Sequence, residues 1–102
     1  MDDAHNDDER RIGDRTPFHD RVMVVRAEQA WYAELMDLSE GGCGIAVPPD
    51  SALEEEQVVR LFFYEAEDKP AVIVPARVAR VTDARIGFEY HEPQSVPPKR
   101  RA

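Results

Sequence analysis

Apolar and polar residues alternate with a period of two along most of the middle of the chain. Such alternation is typical of strands that bury one face and expose the other. Turn-forming glycine, proline, aspartate and serine residues separate the alternating segments,. These segments begin near Val22, Trp31, Cys43, Val59, Val72 and Ile86. The pattern therefore predicts an all-β fold with six short strands.

We expect the six strands to be antiparallel and to close into a small barrel, because closure removes the exposed edges of a sheet. Pro75 lacks a backbone donor, which predicts an edge or a bulge at that position. Val78 and Val81 are three residues apart, so they face opposite sides unless an extra residue bulges out between them. Residues 51–57 have room for one helical turn at most.

Composition divides the chain into three parts. Residues 18–91 hold nearly all the large apolar side chains and form the predicted barrel. Residues 1–17 are polar and charged, which predicts a flexible N-terminal arm, and residues 92–102 read as a short, proline-rich, basic tail,. No apolar run approaches the roughly 18 residues needed to cross a bilayer, and the N-terminus does not look like a signal peptide. We therefore expect a cytoplasmic protein.

The charge balance limits the partners. The chain has 13 basic and 21 acidic side chains, a net charge of −8, whereas domains that bind nucleic-acid polymers are usually basic. A small anionic ligand is still compatible with this charge, because screening over about 8 Å lets the charges near a site dominate.

Cys43 is the single cysteine, so an intrachain disulfide is excluded and a reducing compartment fits.

Two strings carry candidate binding chemistry. The first contains Arg10, Arg11 and Arg15, whose planar guanidinium groups match phosphates and guanine edges and can stack on bases. Taken alone, this string is better explained as a solvated charge run, because short charge runs are common.

The second string runs from Asp37 through Ser39 to Gly41 and Gly42. A carboxylate accepts hydrogen bonds from base donors, a hydroxyl donates or accepts, and glycine lets a ligand approach the backbone. Taken alone, this string is better explained as a hairpin connection, in which these residue types are common.

Both strings in this order resemble the PilZ domain family of bacterial receptors for cyclic di-GMP, whose pattern is RxxxR followed by D/NxSxxG. Arg11 and Arg15 match the first box, and Asp37, Ser39 and Gly42 match the second. The stretch from Arg85 to Tyr90 also resembles the closing strand of that family. The resemblance implies a six-stranded antiparallel barrel, with cyclic di-GMP as ligand and no cofactor or metal. It implies that Arg11 and Arg15 grip phosphates and guanines, with Arg10 as an additional contact.

The resemblance implies a receptor that orders its N-terminal arm on binding and then contacts an effector protein, not an enzyme. One alternative is a PilZ-like adaptor for pilus assembly or motility that does not bind nucleotide, although such relatives usually lack both boxes. Another is a small thiol or hydrolytic enzyme built on Cys43 and a histidine. The three histidines and the acidic residues show no metal-binding spacing,.

Overall fold

The computed structural model describes residues 21–64 and 69–99. Within them, the strands are β1 (Arg21–Arg26), β2 (Gln29–Leu38), β3 (Gly42–Ala46), β4 (Val58–Phe63), β5 (Val72–Val81) and β6 (Arg85–Tyr90). These six antiparallel strands close into a barrel in the order β1-β2-β3-β6-β5-β4, which confirms the predicted fold. None of the described residues forms a helix that is long and apolar enough to cross a membrane.

The barrel interior is filled by the alternating apolar side chains. On β4, for example, Val59, Leu61 and Phe63 are buried while Val58 and Arg60 are exposed. Each fully buried side chain of this size contributes about 1.5–3 kcal/mol through removal of apolar surface from water. Because the small interior is packed with side chains, a ligand of nucleotide size has to bind on the outside of this barrel. The fully buried residues include Val22, Val24, Ile45, Leu61, Val74, Val78 and Ile86.

The predicted bulge in β5 is confirmed. The register between β5 and β6 shifts between Val78 and Arg80, which leaves Ala79 as the extra residue. As a result Val78 is fully buried and Val81 also packs against the core.

Pro75 lies in β5 opposite Arg60 of β4, and its carbonyl accepts a hydrogen bond from the His91 N–H at 3.0 Å. The N–H and C=O of one residue in a strand point the same way, so the missing donor of Pro75 faces the chain just beyond the end of β6. Because β6 ends at Tyr90, Pro75 has no strand beside it on that side. It therefore lies at a local edge of the sheet, as expected.

The chain between β3 and β4 contains no helix within residues 51–57; a turn lies at residues 55 and 56. The described part of the predicted tail contacts the barrel. Gln94 donates its N–H to the carbonyl of Glu40 at 2.9 Å, and Pro98 is fully buried. Residues 92–99 thus follow the barrel surface beside the β2–β3 connection.

Candidate functional site

Four predicted site residues lie together where β2 turns into β3. Asp37 is near the end of β2, Ser39 and Gly41 lie in the turn, and Gly42 begins β3. The other three, Arg10, Arg11 and Arg15, lie outside the described residues, as does the predicted arm, residues 1–17.

A bulge in β2 directs Asp37 outwards. Strict alternation from the buried Leu35 would point Asp37 into the core, but the register with β3 shifts between Leu35 and Asp37, so that Met36 becomes the extra residue. Met36 and Asp37 are both exposed, and Leu38 packs against the core instead. The bulge therefore places a carboxylate on the barrel surface that the strand pattern alone would have buried, where an uncompensated charge is strongly disfavoured.

The turn itself is held in one conformation by hydrogen bonds. The backbone N–H and the hydroxyl of Ser39 both donate to the carbonyl of Gly42, at 2.9 and 3.1 Å. The Tyr90 N–H donates to the Gly41 carbonyl at 2.9 Å. With the bond from Gln94 to Glu40, these contacts fix the turn from both sides. The Ser39 hydroxyl donates its proton within the turn, and Ser39 is exposed, so the hydroxyl oxygen keeps its capacity to accept a hydrogen bond.

The two adjacent glycines of the turn have different structural roles. A Cβ at Gly42 would lie far inside contact distance of the Phe88 carbonyl oxygen, a backbone atom of the neighbouring strand. A Cβ at Gly41 would meet nothing within 4 Å. Barrel packing therefore requires glycine at position 42 whether or not a ligand approaches it, whereas position 41 is open to solvent.

Arg85 is a residue of this site that the sequence analysis did not single out. Its Nη2 donates to Oδ2 of Asp37 in an ion pair, and the two side chains are 41% and 56% exposed. The guanidinium group covers Gly44, so that this glycine is buried although it faces outwards. Alternation along β6 places Arg85 on the outer face, but its meeting with Asp37 depends on the unpredicted β2 bulge.

A second group of charges lies beside this ion pair on the same outer face. Arg77 of β5 pairs with Glu89 of β6 and with Glu56, the latter at 3.2 Å. Arg77 and Glu89 are directly opposite each other in the β5–β6 register, and Glu89 is in turn opposite Gly42. The surface beside the turn therefore carries both signs of charge rather than a purely acidic field.

Cys43 lies beneath this surface, in an environment that disfavours the reactive thiolate form. Its side chain is buried, and burial raises the pKa of the thiol from 9.0 to about 12. Burial and the neighbouring Cys43 also raise the pKa of Tyr90, whose hydroxyl has no well-aligned hydrogen-bond partner among the described residues. Since the thiolate is the reactive form, this environment suppresses the chemistry that a thiol enzyme needs. Cys43 is instead a small residue of the hydrophobic core.

Comparison with protein families shows the family of this chain. The family model described as PilZ domain matches residues 9–101, nearly the whole chain, and the chain belongs to this family. PilZ domains are binding domains that generally bind cyclic di-GMP, and they are not a catalytic family. Comparison of the sequence with curated proteins gives no significant match.

Proposed function

We propose that this protein is a receptor for cyclic di-GMP. Asp37, Ser39, Gly41 and Gly42 form the part of the site that the barrel carries, and Arg10, Arg11 and Arg15 complete it from the N-terminal segment. Three facts support the proposal: family membership, the presence of both sequence boxes, and an exposed turn held by hydrogen bonds.

The chemistry of the residues suits this dianionic ligand. The Asp37 carboxylate can accept from the N–H donors of a guanine edge, as acidic side chains do with base donors. The Ser39 hydroxyl can accept from a second donor. Arg77 and Arg85 of the barrel are already paired with carboxylates beside the turn, so the arginines of the N-terminal segment supply further positive charge for the phosphates.

The strand register starts β1 beside the part of β2 that leads to the site, and this observation supports the proposal. Arg21, the first residue of β1, lies opposite Glu34 of β2. Because the two strands are antiparallel, the chain preceding Arg21 begins beside the part of β2 that leads to Asp37. Asp37 is three residues beyond Glu34, about 10 Å along the strand. Arg15 is six residues before Arg21, and an extended chain of that length spans up to about 20 Å, so Arg15 can reach the Asp37 carboxylate.

Binding then acts as a signal. Once its arginines hold the nucleotide, the N-terminal segment is fixed against the barrel, and the composite surface differs from that of the free protein. An effector protein recognises this surface. In this proposal the protein has no catalytic role and acts in the cytoplasm.

Calorimetric titration with cyclic di-GMP tests this function. The wild-type protein should bind, and Arg11→Ala, Arg15→Ala and Ser39→Ala should each lose at least tenfold in affinity. Arg60→Ala is the matched control, since Arg60 is exposed on β4, on the far side of the barrel from the turn, and its loss changes the net charge equally. Absence of binding by the folded wild-type protein would contradict the receptor function and favour the nucleotide-independent adaptor.

A further inference from the structure

The outer face of β5 and β6 carries two arginines next to the proposed site. Arg80 of β5 lies opposite Gly87 of β6, and Arg85 precedes Gly87 by two residues, on the same face of β6. Diagonal neighbours of this kind have Cα atoms about 7–8 Å apart. The two guanidinium groups can therefore converge on one small anion.

Arg80 differs from Arg77 and Arg85 because its side chain is not paired with a carboxylate among the described residues. Arg77 is paired with Glu56 and Glu89, and Arg85 is paired with Asp37. Within residues 21–64 and 69–99, the side chain of Arg80 makes no hydrogen bond or ion pair, and it is exposed. The carboxylate of Glu55 accepts from the N–H of the adjacent Val81 at 3.3 Å and is not paired with Arg80. Among the described residues, Arg80 is therefore a positive charge without a paired carboxylate at this edge of the site.

Arg85 also has hydrogen-bond donors that its contact with Asp37 does not use. Its contact with Asp37 uses Nη2, whereas a guanidinium group carries five N–H donors in a planar fork. Asp37 holds the guanidinium over Gly44, so the remaining donors are positioned before a ligand arrives. Beside it, a Cβ at Gly87 would have only Arg80 Cβ within 4 Å, at 3.9 Å, so no other atom covers Gly87 between the two arginines.

We infer that Arg80 and Arg85 form a phosphate-binding pair carried by the barrel itself, and that they hold one phosphate of the nucleotide while the N-terminal arginines hold the other. This inference rests on the proposed function. In this arrangement Asp37 has two tasks, because it accepts from a guanine and also orients Arg85. The register separates Asp37 from Arg80 by Gly44 and Gly87, or three strand spacings of about 4.8 Å each. That span suits a dinucleotide better than a single base.

Titrations of Arg80→Ala and Arg85→Ala with cyclic di-GMP, beside wild type and Arg60→Ala, test the inference. Arg80→Ala should weaken binding about tenfold and reduce the salt dependence of the affinity, because one charge-assisted contact is lost. Arg85→Ala should weaken binding at least as much, and Arg85→Lys should fall between it and wild type, since lysine keeps the charge without the fork. Arg60→Ala should stay within twofold of wild type.

Phosphorus NMR of the bound ligand adds a readout that a merely structural role would not move. One of the two phosphate signals should shift between the wild-type and Arg80→Ala complexes, and Arg60→Ala should leave both unchanged. Wild-type binding with Arg80→Ala indistinguishable from Arg60→Ala would overturn the inference alone. Tighter binding by Arg85→Ala would also overturn it, because Arg85 would then block Asp37. Absence of wild-type binding would overturn the proposed function together with it.

Discussion

Replacing Cys43 tests the barrel interior beneath the site in a quantitative way. The side chain is 5% exposed, and burial raises the pKa of its thiol from 9.0 to about 12; the neighbouring Tyr90 hydroxyl offsets part of the rise, and the charge of Asp37 adds slightly to it. The thiol is neutral when protonated, so the folded protein holds this proton more tightly than the unfolded chain does.

The consequence is a loss of stability at alkaline pH. The contribution of Cys43 is intact below pH 9 and disappears as the pH rises from 9 towards 12, at about 1.4 kcal/mol per pH unit. Over the whole interval this amounts to roughly 4 kcal/mol, a large part of the 5–15 kcal/mol that typically separates folded from unfolded domains. The raised pKa of Tyr90 acts in the same direction, but its effect begins above the ordinary tyrosine value of 10.

Urea unfolding between pH 7 and pH 10 measures this slope. The contribution of the Cys43 thiol to the wild-type free energy of unfolding should be nearly constant up to pH 9 and should then fall. Cys43→Ala should be less stable at neutral pH because of the cavity it leaves, yet it should lack the decline between pH 9 and pH 10.

In the same wild-type protein, alkylation of the thiol at neutral pH should be about a thousandfold slower than that of a free thiol with a pKa of 9. Equal slopes for both proteins, or alkylation at the rate of free cysteine, would refute the reasoning; the latter would restore the thiol-enzyme hypothesis.

Three further predictions concern the site. Gly42→Ala should lower the free energy of unfolding in urea by about 1–3 kcal/mol through overpacking against Phe88, whereas Gly41→Ala, in open space, should change it by less than about 0.5 kcal/mol; equal effects would contradict the packing argument. Asp37→Asn should change thermal stability little, since exposed ion pairs contribute at most about 1 kcal/mol, but it should weaken cyclic di-GMP binding at least tenfold in calorimetry. Wild-type affinity should fall as salt rises from about 0.05 to about 0.5 M, and constant affinity would argue against arginine–phosphate pairing.

Most of the fold could be predicted from the sequence because burial controls it. The alternation on β4 and β5 marks buried positions directly, and the spacing of Val78 and Val81 revealed a bulge because both residues are apolar. The bulge at Met36 gave no such signal. Met36 is apolar although it is exposed. The alternation from Leu35 to Leu38 therefore does not show which of these residues face the core and which face solvent.

The candidate site was predictable in its motif residues and less so in its charge pairing. Asp37, Ser39, Gly41 and Gly42 lie within six residues of one another in the sequence, so a single turn brings them together. Arg85 joins them from a strand 48 residues away, and this contact depends on the barrel closing β3 against β6. The role of Gly42 also differs from the expected one, because the close approach that excludes a side chain there comes from the barrel's own backbone at Phe88.

The most direct test of the central claim is a titration of the full chain with cyclic di-GMP followed by backbone NMR. The account predicts that saturating ligand shifts the amide signals of Arg11, Arg15 and residues 37–44 together, while signals of β4 far from the turn, such as that of Arg60, stay in place. Unchanged signals at Arg11, Arg15 and Ser39 under saturating ligand would contradict it.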